Sequence, residues 1–213
     1  MISSSFYFRH DFHPSTVSMG KRGLDIVLAL VGLLVLGVLY GPIAIAIGLE
    51  TPGAIIYRQQ RIGLGGKPFT IYKFRSMVSN ADQLKTLVEN EASGQIFKNQ
   101  NDPRVTRVGR FLRSTSLDEL PQLINVLRGE MSLVGTRPPT ADEVDTYRPH
   151  HLQRLRVKPG LTGEWQVHGR SSVSDFERIV QMDLAYQHKW SLSYDLVLLV
   201  KTVAVVLNRQ GAY

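Results

Sequence analysis

The chain has no cysteine. Disulfides, iron–sulfur clusters and thiolate metal sites are therefore excluded, and any metal must be held by oxygen or by histidine nitrogen. The absence fits a reducing, cytosolic setting. Acidic residues are scarce: 18 Asp and Glu stand against 25 Lys and Arg, for a formal charge of +7 and a pI near 9.8. That balance favours an anionic partner, whether nucleic acid, phospholipid headgroups or a phosphorylated substrate. Nucleic acid is disfavoured, because the basic residues are not interleaved with an aromatic stacking platform. The familiar nucleotide-binding loops are missing too. GLGGK around Lys67 lacks the Walker spacing, and no G-x-G-x-x-G or D-x-D is present. His150 and His151 are adjacent rather than spaced for a shared metal, and His168 stands alone, so zinc is not indicated. No internal repeat or low-complexity tract is evident.

Charge is wholly absent from residues 26–49, IVLALVGLLVLGVLYGPIAIAIGL. Such a run reads as membrane-buried, and it is too long, with no small-residue cleavage site, for a signal peptide. As one straight helix it would reach about 36 Å, enough to cross a hydrocarbon core of roughly 30 Å. Pro42 lacks an amide hydrogen and clashes with the preceding turn, so Gly41-Pro42 predicts a kink or a break. Basic residues flank the run on both sides: Arg9, Lys21 and Arg22 before it, and Arg58, Arg61, Lys67, Lys73 and Arg75 after it. The positive-inside bias keeps both flanks cytosolic, which favours a re-entrant helix-break-helix over a kinked transmembrane helix. The expected organisation is an N-terminal lead over 1–20, a re-entrant membrane helix over 21–50 and a globular cytosolic domain over 51–213.

The expected fold class is α+β, mostly helical. AIIYRQQRIG and KPFTIYKFRSM alternate apolar and polar residues across Gly63-Leu64-Gly65-Gly66, predicting a small hairpin. Residues 79–92 read as helical, as do 173–190 and 192–207. The last places Leu192, Leu196, Leu199, Val200, Val203 and Leu207 on one apolar stripe, suited to core or to a membrane interface. Asp195 and Lys201 argue against a second span and allow an interfacial amphipathic helix.

The most informative soluble stretch is RFLRSTSLDELPQLINVLRGEMSLVG, where Asp118 and Glu119 open a helix bearing Leu120, Leu123, Ile124 and Leu127. Either Ser116 caps the helix, with Glu119 completing an S-x-x-E box, or Asp118 is itself the cap; Pro121 favours the later start. In both registers Asp118 sits at the positive end of a helix dipole, with Arg110 and Arg113 near in sequence, which favours its ionised form. An ionised carboxylate can attack phosphorus, and a helix N-terminus among arginines is where a phosphate docks. Acidic residues in first turns also commonly do no more than cap, so the segment alone leaves both roles open. A paired-carboxylate glycosidase fits poorly, because neighbours on a helix diverge by about 100°. Lys73, Arg75, Arg104, Arg107, Arg110, Arg113 and Arg137 add a density of cations that suggests an anion site. KPGLTG at 158–163 and EWQVHGR at 164–170 combine glycine turns with aromatic, amide and guanidinium groups that could cradle a nucleotide.

The order of motifs carries further information: KRGLDIVLA leading into a run broken at Gly-Pro, then RIG, YKFRSM, DPRVTRVGRFLRSTSLDELPQLINVLRGEMSLVGTRP and VKPGLTGEWQVHGR. From about residue 20 to the end, the chain resembles the bacterial sugar transferase family of monotopic phosphoglycosyl transferases, also called polyprenyl-phosphate hexose-1-phosphate transferases. The resemblance implies a ping-pong reaction in which Asp118 attacks the sugar-linked phosphate of a UDP-sugar, expels UMP and carries a phosphosugar-aspartyl intermediate to polyprenol phosphate. It implies Mg2+ beside Asp118 and Glu119, with Lys73, Arg113 and Arg137 as phosphate or nucleotide contacts; Arg75 belongs to the same basic cluster, and Arg170 and Asp183 match further family positions. It implies monotopic placement on the cytosolic face of the bacterial inner membrane, among inner-membrane lipids, at the first membrane step of exopolysaccharide or other cell-surface glycan synthesis, and it leaves room for a homo-oligomer. Undecaprenyl phosphate is the acceptor type implied. Two departures stand out: Thr136 in GTRPP, and Glu164 before WQV. The competing reading is a non-enzymatic basic adaptor on anionic lipids, which Asp118→Asn would leave unaffected.

Overall fold

The computed structural model describes residues 13–208, apart from Ile96, Lys98 and 170–172. Of the N-terminal lead, residues 1–12 lie outside the described residues. The rest of it holds a 3-10 turn, Pro14–Thr16, and the first two residues of a long helix.

The apolar run forms one helix, α1 (Met19–Glu50), of 32 residues, about 48 Å long at 1.5 Å per residue. It is long and apolar enough to cross a membrane by length and composition. The expected break at Gly41-Pro42 is not found: the helix continues through Pro42 to Glu50. Packing explains why. Lys21, Asp25, Ala29, Leu36, Ile43 and Ile47 are buried and recur every four or seven residues, so one edge of the helix faces the body along its whole length. Beyond the proline, Ile43 and Ile47 are buried with Phe74 and Leu112, and these contacts hold a turn that proline alone weakens by about 3 kcal/mol.

Both ends of α1 are fastened to the same body. Near its start the Lys21 ammonium donates to Asp195 Oδ2 at 2.6 Å and to the Val134 carbonyl at 2.9 Å, and Arg22 donates to the carbonyls of Val126 and Leu127. At its end, Glu50 accepts the backbone N–H groups of Arg107 and Val108 at 2.7 and 2.9 Å. The opposite edge, including Leu34, Val38 and Leu49, is exposed.

The predicted hairpin is present. β1 (Ile56–Ile62) pairs antiparallel with β2 (Pro68–Phe74), with Arg58 opposite Tyr72 and Tyr57 opposite Lys73. Gly65 and Gly66 both take positive φ in the turn, 64° and 80°, where a side chain would be strained. The helix expected over 79–92 is absent; only a 3-10 turn, Lys85–Leu87, forms there. An amphipathic helix needs a surface to bury its apolar edge, and here Leu87 is 80% exposed while, among the residues whose burial is described, Ala81 alone is buried.

α2 (Arg107–Ser114) follows, capped by Thr106 accepting Gly109 N–H. Then come a 3-10 helix Leu117–Gln122, α3 (Leu123–Arg128) and β3 (Ser132–Val134). α4 (Ala141–Asp145), a 3-10 helix His151–Arg156, β4 (Gly160–Thr162) and α5 (Glu164–His168) lead into α6 (Phe176–Lys189) and α7 (Leu192–Leu207). β3 and β4 pair in parallel. The glycines of GTRPP and KPGLTG serve this pairing. A Cβ on Gly160 would lie 2.1 Å from Gly135 N, and one on Gly135 would lie 2.3 Å from the Lys158 carbonyl. Within KPGLTG, Gly160–Thr162 is thus packed backbone on backbone against the strand that ends at Val134. The main core joins Ala29 of α1, Ile71 of the hairpin, Leu123 and Val126 of α3, Leu133 of β3, Tyr186 of α6 and Leu198 of α7. The result is a mostly helical α+β body with a long apolar helix laid along it.

Candidate active site

Asp118 and Glu119 stand at the second and third positions of the 3-10 helix that precedes α3. Neither anticipated cap register holds in full. Ser116 does occupy the cap position, but in the left-handed region at φ 56° and with no side-chain hydrogen bond to the helix. The segment resolves its conflict with Pro121 by winding as a 3-10 helix over 117–122 and becoming α-helical only at Leu123. Asp118 is 6% exposed.

The hairpin brings the first cation to this turn. Lys73 Nζ lies 2.7 Å from Glu119 Oε1, across 46 residues of sequence, in a pair about a quarter exposed on each side. α2 contributes Arg113, whose Nε donates to Ser76 Oγ at 3.0 Å. Burial presses the Arg113 pKa below its ordinary value, while the negative charges of Asp118, Asp102 and Glu119 oppose that shift. Arg113 therefore senses both carboxylates of the 117–122 turn.

A second cluster adjoins it through β1. Alternate residues of a strand share a face, so Tyr57, Gln59 and Arg61 lie on the same side of the hairpin as Lys73. The Arg61 guanidinium donates to the Pro138 carbonyl. Its pKa is lowered to about 10, first by burial and then by Arg137, with Glu143 and Glu119 acting in the opposite sense. Arg137 pairs with Glu143 at 3.1 Å, and Glu143 also closes the capping box of Thr140 at the start of α4. Burial works against the Glu143 charge, but Arg137, the Thr140 N–H and Arg61 together leave the carboxyl below its usual range. Two guanidiniums crowded this way make a site in which a phosphate is strongly favoured.

The remaining sequence-derived positions separate. Asp183 is buried in α6 and accepts from Arg154 Nε at 2.7 Å. Arg154 also donates to Tyr147 Oη at 2.6 Å, and its own carbonyl accepts from Thr136 Oγ1. Burial disfavours both charges of the pair: it pushes the Asp183 carboxyl up against the pull of Arg154, while Asp183, Tyr147 and Glu143 together more than restore the charge of Arg154. Asp183 thus reaches the 136–137 loop through Arg154. Arg75 points elsewhere: its two terminal nitrogens donate to the carbonyls of Thr51 and Pro52, just past α1, so it ties down that helix end and stands apart from the Lys73–Glu119 pair. Arg104 is likewise committed, in a buried two-pronged pair with Asp102. Gly41 and Pro42 are within α1. Arg170 lies outside the described residues. Thr136 and Glu164, the two unusual positions, are both buried and partnered, Glu164 by the Tyr194 hydroxyl of α7.

Sequence reasoning missed Arg61, Glu143 and Arg154 as members of this cluster. For Arg61 a signal existed, since it shares strand parity with Tyr57, the partner of Lys73. No local signal marks Arg154. Among the described residues, His150, His151 and Glu177 place candidate ligand atoms within 4.8 Å of one another. Adjacency does not keep the two rings apart: each Nε2 lies about 3 Å from a different oxygen of Glu177.

Asp118 and Glu119 offer hard oxygen donors of the kind Mg2+ takes. Successive residues of a 3-10 helix diverge by about 120°, and Lys73 already holds Glu119 Oε1. The donor set therefore fits an ion that takes one protein carboxylate and fills its shell from phosphate and water.

Comparison with known proteins decides the family. The model of a family described as bacterial sugar transferase matches residues 16–209. This chain belongs to the bacterial sugar transferase family. Among its curated relatives, a galactosyl transferase (CpsE) of Streptococcus agalactiae is 45% identical over 94% of this chain and 45% of its own length. An undecaprenyl-phosphate galactose phosphotransferase of Salmonella typhimurium is 46% identical over 91% of this chain and 41% of its own length. The exopolysaccharide production protein ExoY of Sinorhizobium fredii is 40% identical over 92% of this chain and 88% of its own length. This sugar transferase chain thus spans less than half of the first two relatives and most of the third.

Proposed function

We propose that this chain transfers a sugar-1-phosphate from a UDP-sugar to polyprenol phosphate, releasing UMP, at the first membrane step of exopolysaccharide or capsule synthesis. The observation that carries the reading is the buried Asp118 carboxylate beside the Lys73–Glu119 pair and Arg113, on a turn packed against the apolar helix α1. The names of the relatives support it, since undecaprenyl-phosphate galactose phosphotransferase describes the same class of reaction.

In the first half-reaction an Asp118 oxygen forms a bond to the sugar-linked phosphorus. The bond from that phosphorus to the bridging oxygen breaks, and UMP leaves with the bridging oxygen. In the second, a phosphate oxygen of the lipid forms a bond to the same phosphorus, the aspartyl ester bond breaks, and the Asp118 carboxylate is restored. Lys73, Arg113, Arg61 and Arg137 orient the donor phosphates and offset the charge that builds on them. An oxygen of Asp118 or Glu119 would hold Mg2+, which would supply Lewis-acid neutralisation of phosphate charge. The chain sits monotopically on the cytosolic face of the bacterial inner membrane. Attachment of both α1 ends to one body supports this placement, because a span would put those ends on opposite sides.

The test is UMP release with a panel of UDP-sugars in the presence and absence of polyprenol phosphate. Asp118→Asn should reduce release by at least about 1000-fold, as loss of a nucleophile does, and labelled donor should leave a phosphosugar ester on Asp118 of the wild type. Turnover that survives Asp118→Asn would falsify the assignment.

A further inference from the structure

A cavity of about 360 Å³ lies between α1, the hairpin and the 117–128 segment, within the range of small-molecule sites of roughly 300–1,000 Å³. Leu36 and Tyr40 of α1, Ile56 of β1, and Pro121 and Ile124 form its apolar wall, and Arg58 and Arg128 also line it. Both guanidiniums converge on Tyr72, another lining residue. Their Cζ atoms stand 6.0 and 5.4 Å from its ring centre, and Arg128 donates to its hydroxyl at 2.9 Å.

Three features define the occupant. The wall is hydrocarbon, which asks for an aliphatic ligand. Two guanidiniums beside one aromatic ring offer a phosphate head charged hydrogen-bond donors at the rim of the apolar wall. Tyr40 and Ile124 are 43% and 36% exposed, so the cavity communicates with the outer apolar surface of the molecule. An amphiphile with a phosphate head and a hydrocarbon tail meets all three demands, whereas a nucleotide sugar meets only one.

The location ties the cavity to Asp118. Residues three apart in a 3-10 helix eclipse one another, so Asp118 and Pro121 share a face, separated by about 6 Å along the axis. Ile124 follows at the next step of three. Tyr72 and Arg58 lie on the face of the hairpin opposite Lys73, so the 117–122 turn meets Lys73 through Glu119 and the cavity through Pro121.

We infer that this cavity seats the prenyl units next to the phosphate of the acceptor lipid, with that phosphate held by Arg58 and Arg128 alongside the Asp118 turn. The identity of the lipid rests on the transferase reading; the site itself rests on the geometry.

The experiment uses the full chain in phosphatidylcholine nanodiscs with a photoreactive polyprenyl phosphate. Labelling should fall on the peptides carrying Tyr40 and Ile124. Arg58→Ala with Arg128→Ala should weaken binding about tenfold or more, the loss of about 1.4 kcal/mol, and should leave weak labelling by the matching uncharged polyprenol unchanged. Ile124→Trp, which fills the cavity and keeps both charges, should also suppress labelling. Labelling spread along the exposed faces of α1 and α7 and indifferent to these changes would overturn the inference, as would equal affinity for the alcohol. Cavity labelling in a chain that releases no UMP from any UDP-sugar would sink the transferase reading and leave the lipid site standing. UMP release without cavity labelling would do the reverse.

Discussion

Replacing Arg154 by methionine tests how the second cluster is built. The Arg154–Asp183 pair is 2.7 Å long, with side chains 2% and 1% exposed. Methionine fills similar space but leaves the Asp183 carboxylate buried without its counter-charge and removes the donor to Tyr147. Breaking one side of such a pair costs about 3–5 kcal/mol, a large share of a total stability of about 5–15 kcal/mol. For a chain of this length each kcal/mol moves Tm by about 2–4 °C, so Arg154→Met should lower Tm by about 6–20 °C in detergent, followed by circular dichroism. Adding Asp183→Leu removes the stranded charge and should return most of the loss. The repaired double variant should still show a several-fold higher KM for UDP-sugar, because Arg154 also braces the loop that carries Arg137. A Tm shift under about 2 °C for Arg154→Met, or a double variant no more stable than the single one, would refute this reasoning. Were Asp183 instead a direct nucleotide contact, Asp183→Asn would change KM and leave Tm nearly unmoved.

Lys73→Met should cost under about 1 kcal/mol in stability, since its pair with Glu119 is partly solvated, yet lower UMP release about 100-fold, as loss of a transition-state donor does; equal, modest effects on both would argue against a catalytic position. Gly109→Ala would place a Cβ 2.0 Å from the Ser76 carbonyl, so α2 must move away from the strand end that positions Arg113. The expected loss is about 1–3 kcal/mol, visible as a lowered Tm, and an unchanged Tm would contradict the close approach. His13 accepts the Ser15 N–H at Nδ1 and lies 2.9 Å from the Gln187 carbonyl at Nε2, which assigns the proton to Nε2. Burial holds its pKa below 6.5. A base with a lowered folded pKa contributes stability above its unfolded value and loses it as pH falls through the folded one. Hydrogen exchange should show residues 13–17 protected at pH 7 and progressively less so on acidification below 6.5; protection that rises on acidification would reverse the sign.

Local pattern carried the elements whose partners lie close in sequence. The alternation around Gly63–Gly66 yields β1 and β2, and the stripe from Leu192 to Leu207 matches α7 residue for residue. The errors arise where tertiary contacts override local preference. Pro42 has the chemistry of a helix breaker, but Ile43 and Ile47 bind the body and carry the helix on. The 79–92 segment has helical composition but no surface to receive it. Pro121 and the S-x-x-E spacing point to two different α-helical starts, and the chain adopts a 3-10 turn that local rules do not offer. In the site, Asp118 and Glu119 are legible because they open an amphipathic stretch. Their association with Lys73 spans 46 residues, and Arg154 reaches Asp183 across 29; no periodicity encodes either. Arg75 illustrates the converse, a cation in the right cluster of sequence whose two terminal nitrogens are taken by carbonyls just past α1.

A helix that crosses a bilayer through a flexible tether can tilt to suit membrane thickness while its attached domain stays put. Pinned at Lys21 and again at Glu50, α1 has no such independence. On a membrane, as proposed above, any change in its pitch would swing the whole body, so the height of Asp118 relative to the lipid would be set by a lever with two fixed points. Thinner or thicker membranes would then alter the presentation of the carboxylate directly, making bilayer composition a determinant of rate even where the donor is saturating.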